Sequence, residues 1–238
     1  MVRDRERVIA VLLAGGDGTR MNGIDKMMAY LGGKPLLAHS LEVLDACDEI
    51  DAIRLVVSDL HEEELTALGA VTVKSTDLRV CVGGAVRSQS TLNGLRAEAH
   101  AGFQWAVVHD GARPFLTQEI LGRGLASTAR FDAAIAAIPA SDTIKIADDL
   151  GMVADTPPRR NVWMAQTPQI ARFANLLNAH ERLEERLHEF TDEASVLEEV
   201  GCPVSLYEGD QSNVKITTPE DLVRAEFMID ALRVPSRP

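Results

Sequence analysis

The sequence predicts an α/β protein with a mostly parallel sheet and a protruding β-hairpin. Short apolar runs alternate with helical patterns through the first 140 residues, as in successive βα units. These runs are apolar nearly throughout, which is typical of parallel strands that are buried on both faces. After Pro139 the alternation breaks, and two short runs flank a turn cluster that ends in Gly151. That pattern predicts a β-hairpin outside the parallel sheet.

Each predicted element has its own local signal. Strand patterns cover residues 8–13, 52–57, 71–74, 105–109 and 133–138. Helical patterns cover residues 35–46, 62–68, 88–99 and 117–129. Beyond the hairpin, the patterns predict helices at 171–187 and 192–200 and strands at 204–207 and 213–216. A closing helix is predicted to begin where Thr218, Pro219 and Asp221 form a capping-box spacing.

The composition excludes several classes of protein. The chain has 238 residues, with 24 Lys and Arg against 36 Asp and Glu, so its formal net charge is -12. This charge excludes a strongly basic protein that coats nucleic acid. The apolar runs are shorter than the roughly 18 residues of a membrane helix, and the charged start lacks a signal-like apolar segment. We therefore expect a cytoplasmic protein with one domain over residues 1–238 and with neither nucleic acid nor membrane as a partner.

The loop after the first strand is a candidate phosphate site. It reads Ala14-Gly-Gly-Asp-Gly-Thr-Arg-Met21, and it lies where an α/β sheet offers backbone N–H groups to a nucleotide. It has neither the third glycine of a dinucleotide-binding loop nor the Gly-Lys-Ser/Thr of a P-loop, so a simple tight turn stays an alternative. Arg20 and Lys26 add two cations to the glycines, which suits a triphosphate.

This loop resembles that of the nucleotidyltransferases that activate small molecules with a nucleoside triphosphate. Gly16-Asp-Gly-Thr-Arg-Met21 is followed by Asp25-Lys26 and by Leu31-Gly-Gly-Lys-Pro-Leu-Leu-Ala-His-Ser40. The Asp25-Lys26 pair is similar to the molybdenum-cofactor guanylyltransferases. The N-terminal third therefore does not choose the base.

Motifs later in the sequence indicate which base the nucleotide carries. Residues 107–114, Val-Val-His-Asp-Gly-Ala-Arg-Pro, match the fingerprint of the 2-C-methyl-D-erythritol 4-phosphate cytidylyltransferase family, the third enzyme of the non-mevalonate isoprenoid pathway. Further segments similar to that family lie at 83–90, 142–145, 166–169, 191–195 and 213–217. The resemblance implies a Rossmann-like nucleotidyltransferase fold, with CTP as the nucleotide and a sugar-alcohol phosphate as the acceptor.

The resemblance also assigns roles to residues. It implies that Arg20, Lys26 and Lys215 are catalytic and contact the phosphates of CTP. The positions that it implies for nucleotide binding are Ala14, Gly15, Gly16, Gly18, Gly83, Gly84 and Ser90. Those that it implies for the acceptor are Asp110, Arg113, Thr143, Arg159 and Thr167. Arg159 matches an arm arginine that reaches into the partner subunit's site, so residues 141–164 are the expected arm of a homodimer.

The expected reaction needs positive charge more than a general base. A phosphate monoester loses its second proton with a pKa of about 6, so the acceptor is already an anionic nucleophile at neutral pH. The charge that develops on the phosphates calls for Lys, Arg and a divalent cation. Mg²⁺ is the expected cofactor, and Asp110 is its candidate ligand because Mg²⁺ prefers oxygen donors.

We therefore predict an enzyme that transfers CMP from CTP to 2-C-methyl-D-erythritol 4-phosphate and releases pyrophosphate. A ribitol-5-phosphate cytidylyltransferase is the nearest alternative, because its loop and base-reading motifs resemble these. A molybdopterin guanylyltransferase is favoured only by Asp25-Lys26. A non-catalytic nucleotide-binding protein is disfavoured, because Arg20, Lys26 and Lys215 are all retained.

Other residues in these motifs are predicted to have structural roles. His109 ends an apolar strand, and we expect it to be buried and hydrogen-bonded rather than an acid or base. Asp192 and Glu193 begin a helix, where carboxylates cap the first turn and favour the dipole. Arg87 is expected to be a first-turn helix residue outside the site.

Overall fold

A seven-stranded sheet lies at the centre of the fold. The computed structural model describes residues 6–15 and 26–233. Its strands are β1 (Val8–Ala14), β2 (Tyr30–Leu31), β3 (Lys34–Pro35), β4 (Ala52–Val57), β5 (Asp77–Val82), β6 (Trp105–Asp110), β7 (Ala133–Pro139), β8 (Ile146–Ala147), β9 (Val153–Asp155), β10 (Trp163–Arg172) and β11 (Ser205–Glu208). Its helices are α1 (Leu36–Asp45), α2 (Glu62–Thr72), α3 (Arg87–Arg96), α4 (Gln118–Ser127), α5 (Phe173–Arg182), α6 (Glu193–Glu199) and α7 (Pro219–Arg233). The predicted α/β class is confirmed.

The sheet is mostly parallel, with the strand order β11-β7-β10-β6-β1-β4-β5. β1 pairs in parallel with β4 and β6, and β4 pairs in parallel with β5. At the other end, β7 pairs in parallel with β11. β10 lies between β6 and β7 and is antiparallel to both.

β1 illustrates why the central strands are apolar throughout. All seven of its residues are buried. Ala10 and Leu12 pack into the cluster formed with α1, α2, α4 and α7, whereas Ile9 and Val11 pack into the cluster formed with α3, α5 and α6. Because helices cover both faces, the loops that follow the carboxyl ends of β1, β4, β5 and β6 are left to form a site.

The strand predicted at 71–74 is wrong. α2 continues to Thr72, and the strand next to β4 is β5, at Asp77–Val82. β5 lies at the edge of the sheet, where only part of each residue is covered, so charged Asp77 and Arg79 are accommodated. The sequence pattern missed it because an edge strand lacks the continuous apolar run of a central one.

The sequence predicts no strand around Gln166-Thr-Pro-Gln169, but the structure has one. This segment lies in β10, and the following helix begins at Phe173 rather than at 171. Proline normally argues against a central strand because it removes a ladder donor. Here Pro168 lies where the pairing of β10 with β7 shifts register between Ala165 and Gln169, so the ladder is already interrupted.

Two predictions near the C-terminus have opposite outcomes. Residues 213–216 form no strand; instead, Ile216 N donates to the carbonyl oxygen of Ala112 at 2.8 Å. The capping box of α7 is confirmed, because Asp221 N donates to Thr218 Oγ1 at 3.2 Å and Thr218 N donates to Asp221 Oδ2 at 3.0 Å. Neither α7 nor any other helix within residues 6–15 and 26–233 is long and apolar enough to cross a membrane.

The predicted hairpin is confirmed and stands apart from the seven-stranded sheet. β8 and β9 pair antiparallel to each other, and Gly151 takes a φ of +76° in the turn between them. A positive φ suits glycine because it has no Cβ to clash with the backbone. The exposed large apolar side chains of this arm are Ile146, Leu150, Met152, Val153, Trp163 and Met164.

Candidate active site

Two pockets open beside the carboxyl ends of the central strands, and Arg87 lines both. The first, called here the glycine pocket, has a volume of about 370 Å³ and is lined by Gly15, Val57, Ser58, Asp59, Leu60, Val82, Gly83, Gly84, Ala85, Val86, Arg87 and Ser90. The second, called here the carboxylate pocket, has a volume of about 210 Å³ and is lined by Arg87, Asp110, Arg113, Ala165, Gln166, Thr167, Gln169, Thr191, Asp192 and Lys215. The shared arginine joins the two into one site.

The turn between β5 and α3 forms the wall of the glycine pocket. Gly84 N donates to Ser90 Oγ at 3.1 Å, and Ser90 Oγ lies 3.1 Å from the carbonyl oxygen of Val86. A Cβ at Gly83 would lie 2.7 Å from Ser90 Oγ, and a Cβ at Gly84 would lie 2.4 Å from Gln89 Cγ. Both glycines therefore let the backbone pack closely against the first turn of α3.

Asp110 lies at the centre of the carboxylate pocket, where β6 ends. Its Oδ1 accepts from Arg87 Nε at 2.9 Å, and its Oδ2 is 2.7 Å from Lys215 Nζ. Burial acts to raise the pKa of Asp110, but the charges of Arg87, Lys215 and Arg113 hold that pKa well below its usual range. Asp110 is therefore an anion at neutral pH and a poor proton acceptor.

Arg87 is a residue that the sequence prediction left out of the site. Its Nη1 and Nη2 donate to Oε1 and Oε2 of Glu193 at 2.8 and 3.0 Å. Glu193 is only 2% exposed, and Thr91 Oγ1 donates to it at 2.8 Å. Burial acts to lower the pKa of Arg87, but the charges of Glu193 and Asp110 outweigh it and raise that pKa. Arg87 therefore stays charged in its pocket.

His109 is buried and contacts Thr167 and Arg113, two residues that line the carboxylate pocket, as predicted for a buried, hydrogen-bonded residue. Its Nδ1 lies 2.9 Å from Thr167 Oγ1, and its Nε2 lies 3.3 Å from the carbonyl oxygen of Arg113. Burial lowers the pKa of His109 to about 4, so the ring is neutral at neutral pH. Because a carbonyl only accepts, Nε2 carries the proton and Nδ1 accepts from the Thr167 hydroxyl. Thr167 Oγ1 in turn accepts from Asp110 N at 3.1 Å.

The segment before α7 brings Lys215 to the site. Asn213 is fully buried; its carbonyl oxygen accepts from Arg113 Nη1 at 2.7 Å, and its Nδ2 donates to the carbonyl oxygen of Thr167 at 2.8 Å. With Ile216 bonded to the loop after β6, these contacts fix the backbone on both sides of Lys215. Lys215 thus reaches Asp110 although it is distant in sequence.

The structure brings most of the predicted site residues together. Asp110, Arg113, Thr167 and Lys215 line the carboxylate pocket, and Gly15, Gly83, Gly84 and Ser90 line the glycine pocket. Ala14 ends β1, and Lys26 begins a 3₁₀ turn. Gly16, Gly18 and Arg20 lie outside the described residues. Thr143 and Arg159 lie on the arm and do not line either pocket of their own chain; Arg159 Nη1 donates to the carbonyl oxygen of Ser141 at 2.9 Å.

Two residues of the Thr191-Asp-Glu segment separate into different roles. Asp192 caps α6 as predicted, because its Oδ1 accepts from Ser195 N at 3.0 Å. Glu193, expected to cap as well, instead pairs with Arg87. The only trace of this pair in the sequence is that each of two separate motifs contains a charged residue, Arg87 in one and Glu193 in the other. Nothing local in the sequence says that the two motifs meet.

A divalent cation fits this site only if its other ligands come from the substrate. Among the described residues, no group of three or more His, Cys, Asp or Glu side chains is placed to hold a metal ion. Each carboxylate oxygen of Asp110 already binds a charged side chain, Arg87 on Oδ1 and Lys215 on Oδ2. Each oxygen still has a second lone pair that could bind a metal ion. A Mg²⁺ ion that is coordinated mainly by nucleotide phosphates needs only one or two carboxylate ligands from the protein, so Asp110 is a suitable ligand.

Known proteins resemble this chain over most of its length. The profile of the family described as IspD, 2-C-methyl-D-erythritol 4-phosphate cytidylyltransferase, matches residues 8–231. A protein of that name from Geobacter metallireducens is 42% identical over 230 residues, which cover 93% of this chain and 97% of the relative. Another from Dehalococcoides mccartyi is 39% identical over 224 residues, with coverages of 94% and 96%.

A solved structure shows the same fold. The 4-diphosphocytidyl-2C-methyl-D-erythritol synthase of Anaerococcus prevotii superposes with a TM-score of 0.85 at 29% identity, covering 95% of this chain and 97% of that one. The matched range of the family profile contains both pockets described above. The chain belongs to the 2-C-methyl-D-erythritol 4-phosphate cytidylyltransferase family.

Proposed function

We propose that this protein transfers the cytidylyl group of CTP to 2-C-methyl-D-erythritol 4-phosphate, in the synthesis of isoprenoid precursors. Family membership supports this reaction. The observation that carries it is the carboxylate pocket, where Arg87, Arg113 and Lys215 surround one ionised carboxylate beside a glycine-lined cleft. Three cations in one small pocket suit a reaction in which all the reacting groups are phosphates.

The glycine pocket is the proposed nucleotide site. Gly83 and Gly84 line this pocket, and a nucleotide base fits a cleft of about 370 Å³. The hydroxyl of Ser90 accepts from Gly84 N and keeps a second lone pair, which can accept from the exocyclic amine of cytosine. Arg20, Lys26 and the glycines of residues 14–18 are proposed to hold the triphosphate.

The carboxylate pocket is the proposed acceptor site. An oxygen of the acceptor phosphate attacks the α-phosphorus of CTP and forms a new P–O bond, while the bond to the β-phosphate breaks and pyrophosphate leaves with the electron pair. No general base is needed, since the acceptor phosphate is already ionised at neutral pH. Asp110, with its lowered pKa, and neutral, buried His109 are both poorly suited to be one. Lys215 is proposed to stabilise the charge on the α-phosphate.

Mg²⁺ is the proposed cofactor, with Asp110 as its one protein ligand among the residues described. When bound, it would neutralise the charge that develops on the phosphates and help to align them. Asp110 contributes by keeping a negative charge close to Lys215 and Arg113.

A homodimer formed through residues 141–164 completes the proposal. An isolated two-stranded hairpin is marginal in water, and this arm exposes a group of large apolar side chains that a second copy would cover. Thr143 and Arg159 would then contribute to the acceptor site of the partner. Because CTP is a cytoplasmic metabolite, we also propose that the enzyme works in the cytoplasm.

A substrate panel tests the proposed function. The purified protein is incubated with each of the four ribonucleoside triphosphates and with methylerythritol phosphate, ribitol phosphate or no acceptor, with and without Mg²⁺. We expect pyrophosphate release only with CTP, methylerythritol phosphate and Mg²⁺ together. A preference for ribitol phosphate, or for GTP, would refute the assignment and select the corresponding alternative.

A further inference from the structure

We propose that Arg87, held by the buried Glu193, is a positioning residue that fixes Asp110 for the acceptor half of the reaction. The inference rests on the proposed function and adds two residues to its machinery. Arg87 and Glu193 belong to different motifs, and they meet at the boundary between the two pockets.

The hydrogen bonds of the guanidinium fix its orientation. Nη1 and Nη2 bind both oxygens of Glu193, and Nε donates to Asp110 Oδ1 at 2.9 Å. A bidentate pair on one edge leaves the planar group little freedom to rotate, so the direction of the Nε–H bond is set. Asp110 Oδ1 is therefore held by a donor whose direction is fixed.

Glu193 is itself anchored by two elements. It is the first residue of α6, and it accepts from Thr91 Oγ1 of α3 at 2.8 Å. Nearby, Ser88 Oγ of α3 lies 2.8 Å from the carbonyl oxygen of Leu187 and 3.0 Å from that of Phe190, in the segment before α6. Helix α3 is thus tied to α6 and to the chain before it, which makes a rigid support for Arg87.

The two charged side chains that bind Asp110, Lys215 and Arg87, differ in exposure and in their other partners. The Lys215 side chain is 37% exposed, whereas that of Arg87 is 23% exposed and is bound on its far side to a carboxylate. An incoming phosphate can therefore draw Lys215 away from Asp110, while Glu193 keeps Arg87 in place. Without Glu193, Arg87 would share the carboxylate of Asp110 with Lys215 as its only ion-pair partner, and it would be free to turn toward the anionic substrates.

The inference predicts unequal effects on the two substrates. The contacts that shape the glycine pocket, Gly84 to Ser90 and Ser90 to Val86, do not involve the side chain of Arg87. Loss of the Arg87–Glu193 pair should therefore lower kcat, and with it kcat/KM for the acceptor, by about 10- to 100-fold, which is the order of the cost of a small misplacement within an active site. The KM for CTP should change by less than about threefold.

Four variants and a matched control test this inference. Glu193→Gln removes the charge with little change in shape, Arg87→Lys keeps the charge but loses the planar fork, and Arg87→Gln removes both. The double variant Arg87→Gln/Glu193→Gln removes both charges together, so that no buried charge is left unpaired. Arg96→Gln is the control, because Arg96 lies on the same helix and binds Glu184 through both Nη groups at 2.6 Å on the exposed surface.

Steady-state kinetics with each substrate varied, together with thermal unfolding, give the answer. We expect Glu193→Gln and Arg87→Gln to have a lower kcat and a lower kcat/KM for the acceptor. Arg87→Lys should be intermediate, and Arg96→Gln should match the wild type. The double variant is decisive: we expect it to fold at least as stably as Glu193→Gln but to stay about 10-fold or more below the wild type. Recovery of activity in the double variant, or a rise of about 10-fold or more in the KM for CTP, would overturn the inference and leave the pair as a stabilising contact only.

The proposed function can fail separately from this inference. If wild-type protein does not use methylerythritol phosphate, the substrate assignment is wrong, and the same variants are then measured with the acceptor that the substrate panel identifies. The inference is supported if the variants lower kcat and kcat/KM for that acceptor, and it is refuted if they do not.

Discussion

Nζ of Lys215 lies 2.7 Å from Oδ2 of Asp110, and this contact joins the end of a central strand to the segment before the last helix. Arg87 holds the other oxygen of the same carboxylate. The carboxylate thus holds two cations close together before the substrates bind. An enzyme that handles several phosphates needs such a counter-charge, because adjacent unpaired cations repel each other.

Lys215 should be essential for turnover but not for folding. Lys215→Ala should lower kcat by about 100-fold or more, because the amine is proposed to stabilise charge that develops in the transition state. Its side chain is 37% exposed, and Arg87 still compensates Asp110, so thermal unfolding should change little. Lys74→Ala, at an exposed turn before β5, is the control. Near-wild-type turnover of Lys215→Ala would remove Lys215 from the mechanism.

Gly83 should be required for nucleotide binding. A methyl group there would lie 2.7 Å from Ser90 Oγ and 3.3 Å from Val56 Cγ1, so Gly83→Ala should displace Ser90 and raise the KM for CTP by about 10-fold or more. Gly122→Ala is the matched control, because a Cβ at this exposed position of α4 meets nothing within 4 Å. It should leave kinetics unchanged and stabilise the protein by about 0.5–1 kcal/mol. An unchanged KM for CTP in Gly83→Ala would show that the glycine pocket does not bind the nucleotide.

His109 should make the protein less stable in mild acid. Burial lowers its pKa to about 4 in the folded state, against about 6.5 in the unfolded chain. As the pH falls from about 6.5 to 4, His109 becomes protonated in the unfolded state but stays neutral in the folded state. The free energy of unfolding therefore falls by at most roughly 3 kcal/mol. Above about pH 6.5 both states are neutral, and the effect disappears.

Urea unfolding at pH 7.5 and pH 4.5 measures this effect. His109→Gln retains a donor for the carbonyl oxygen of Arg113 but does not titrate, so it should lose less stability between the two pH values than the wild type does. His39 and His180, whose pKa values burial also lowers, are present in both proteins and cancel in the comparison. An equal loss in the two proteins would mean that His109 titrates normally.

The arm should place residues of one chain in the site of another. Arg159→Ala and Lys26→Ala, each nearly inactive alone, should recover up to about a quarter of wild-type activity when mixed and allowed to exchange subunits. This fraction follows because random pairing makes half of the dimers mixed, and one of the two sites in each mixed dimer carries neither change. Light scattering checks the dimer itself. A monomer, or no recovery despite proven exchange, would return Arg159 to its own chain.

The sequence by itself determined the central part of the fold. β1, β4, β6 and β7 are buried on both faces, so their continuous apolar runs are visible without any tertiary information. The caps at Asp192 and Thr218 were equally readable, because each contact spans only three residues. The residues of the Val107–Pro114 and Gly83–Ser90 motifs were found for the same reason: each motif is contiguous in the chain.

Only the tertiary structure decided what the long-range contacts are. β5 is an edge strand, and β10 contains Pro168 at an irregular pairing, so neither has the local pattern of a buried strand. The ion pair of Arg87 with Glu193 and that of Lys215 with Asp110 each join residues about a hundred positions apart. A local pattern records which face of an element is buried, but which charges meet depends on how strands and helices from separate parts of the chain pack together.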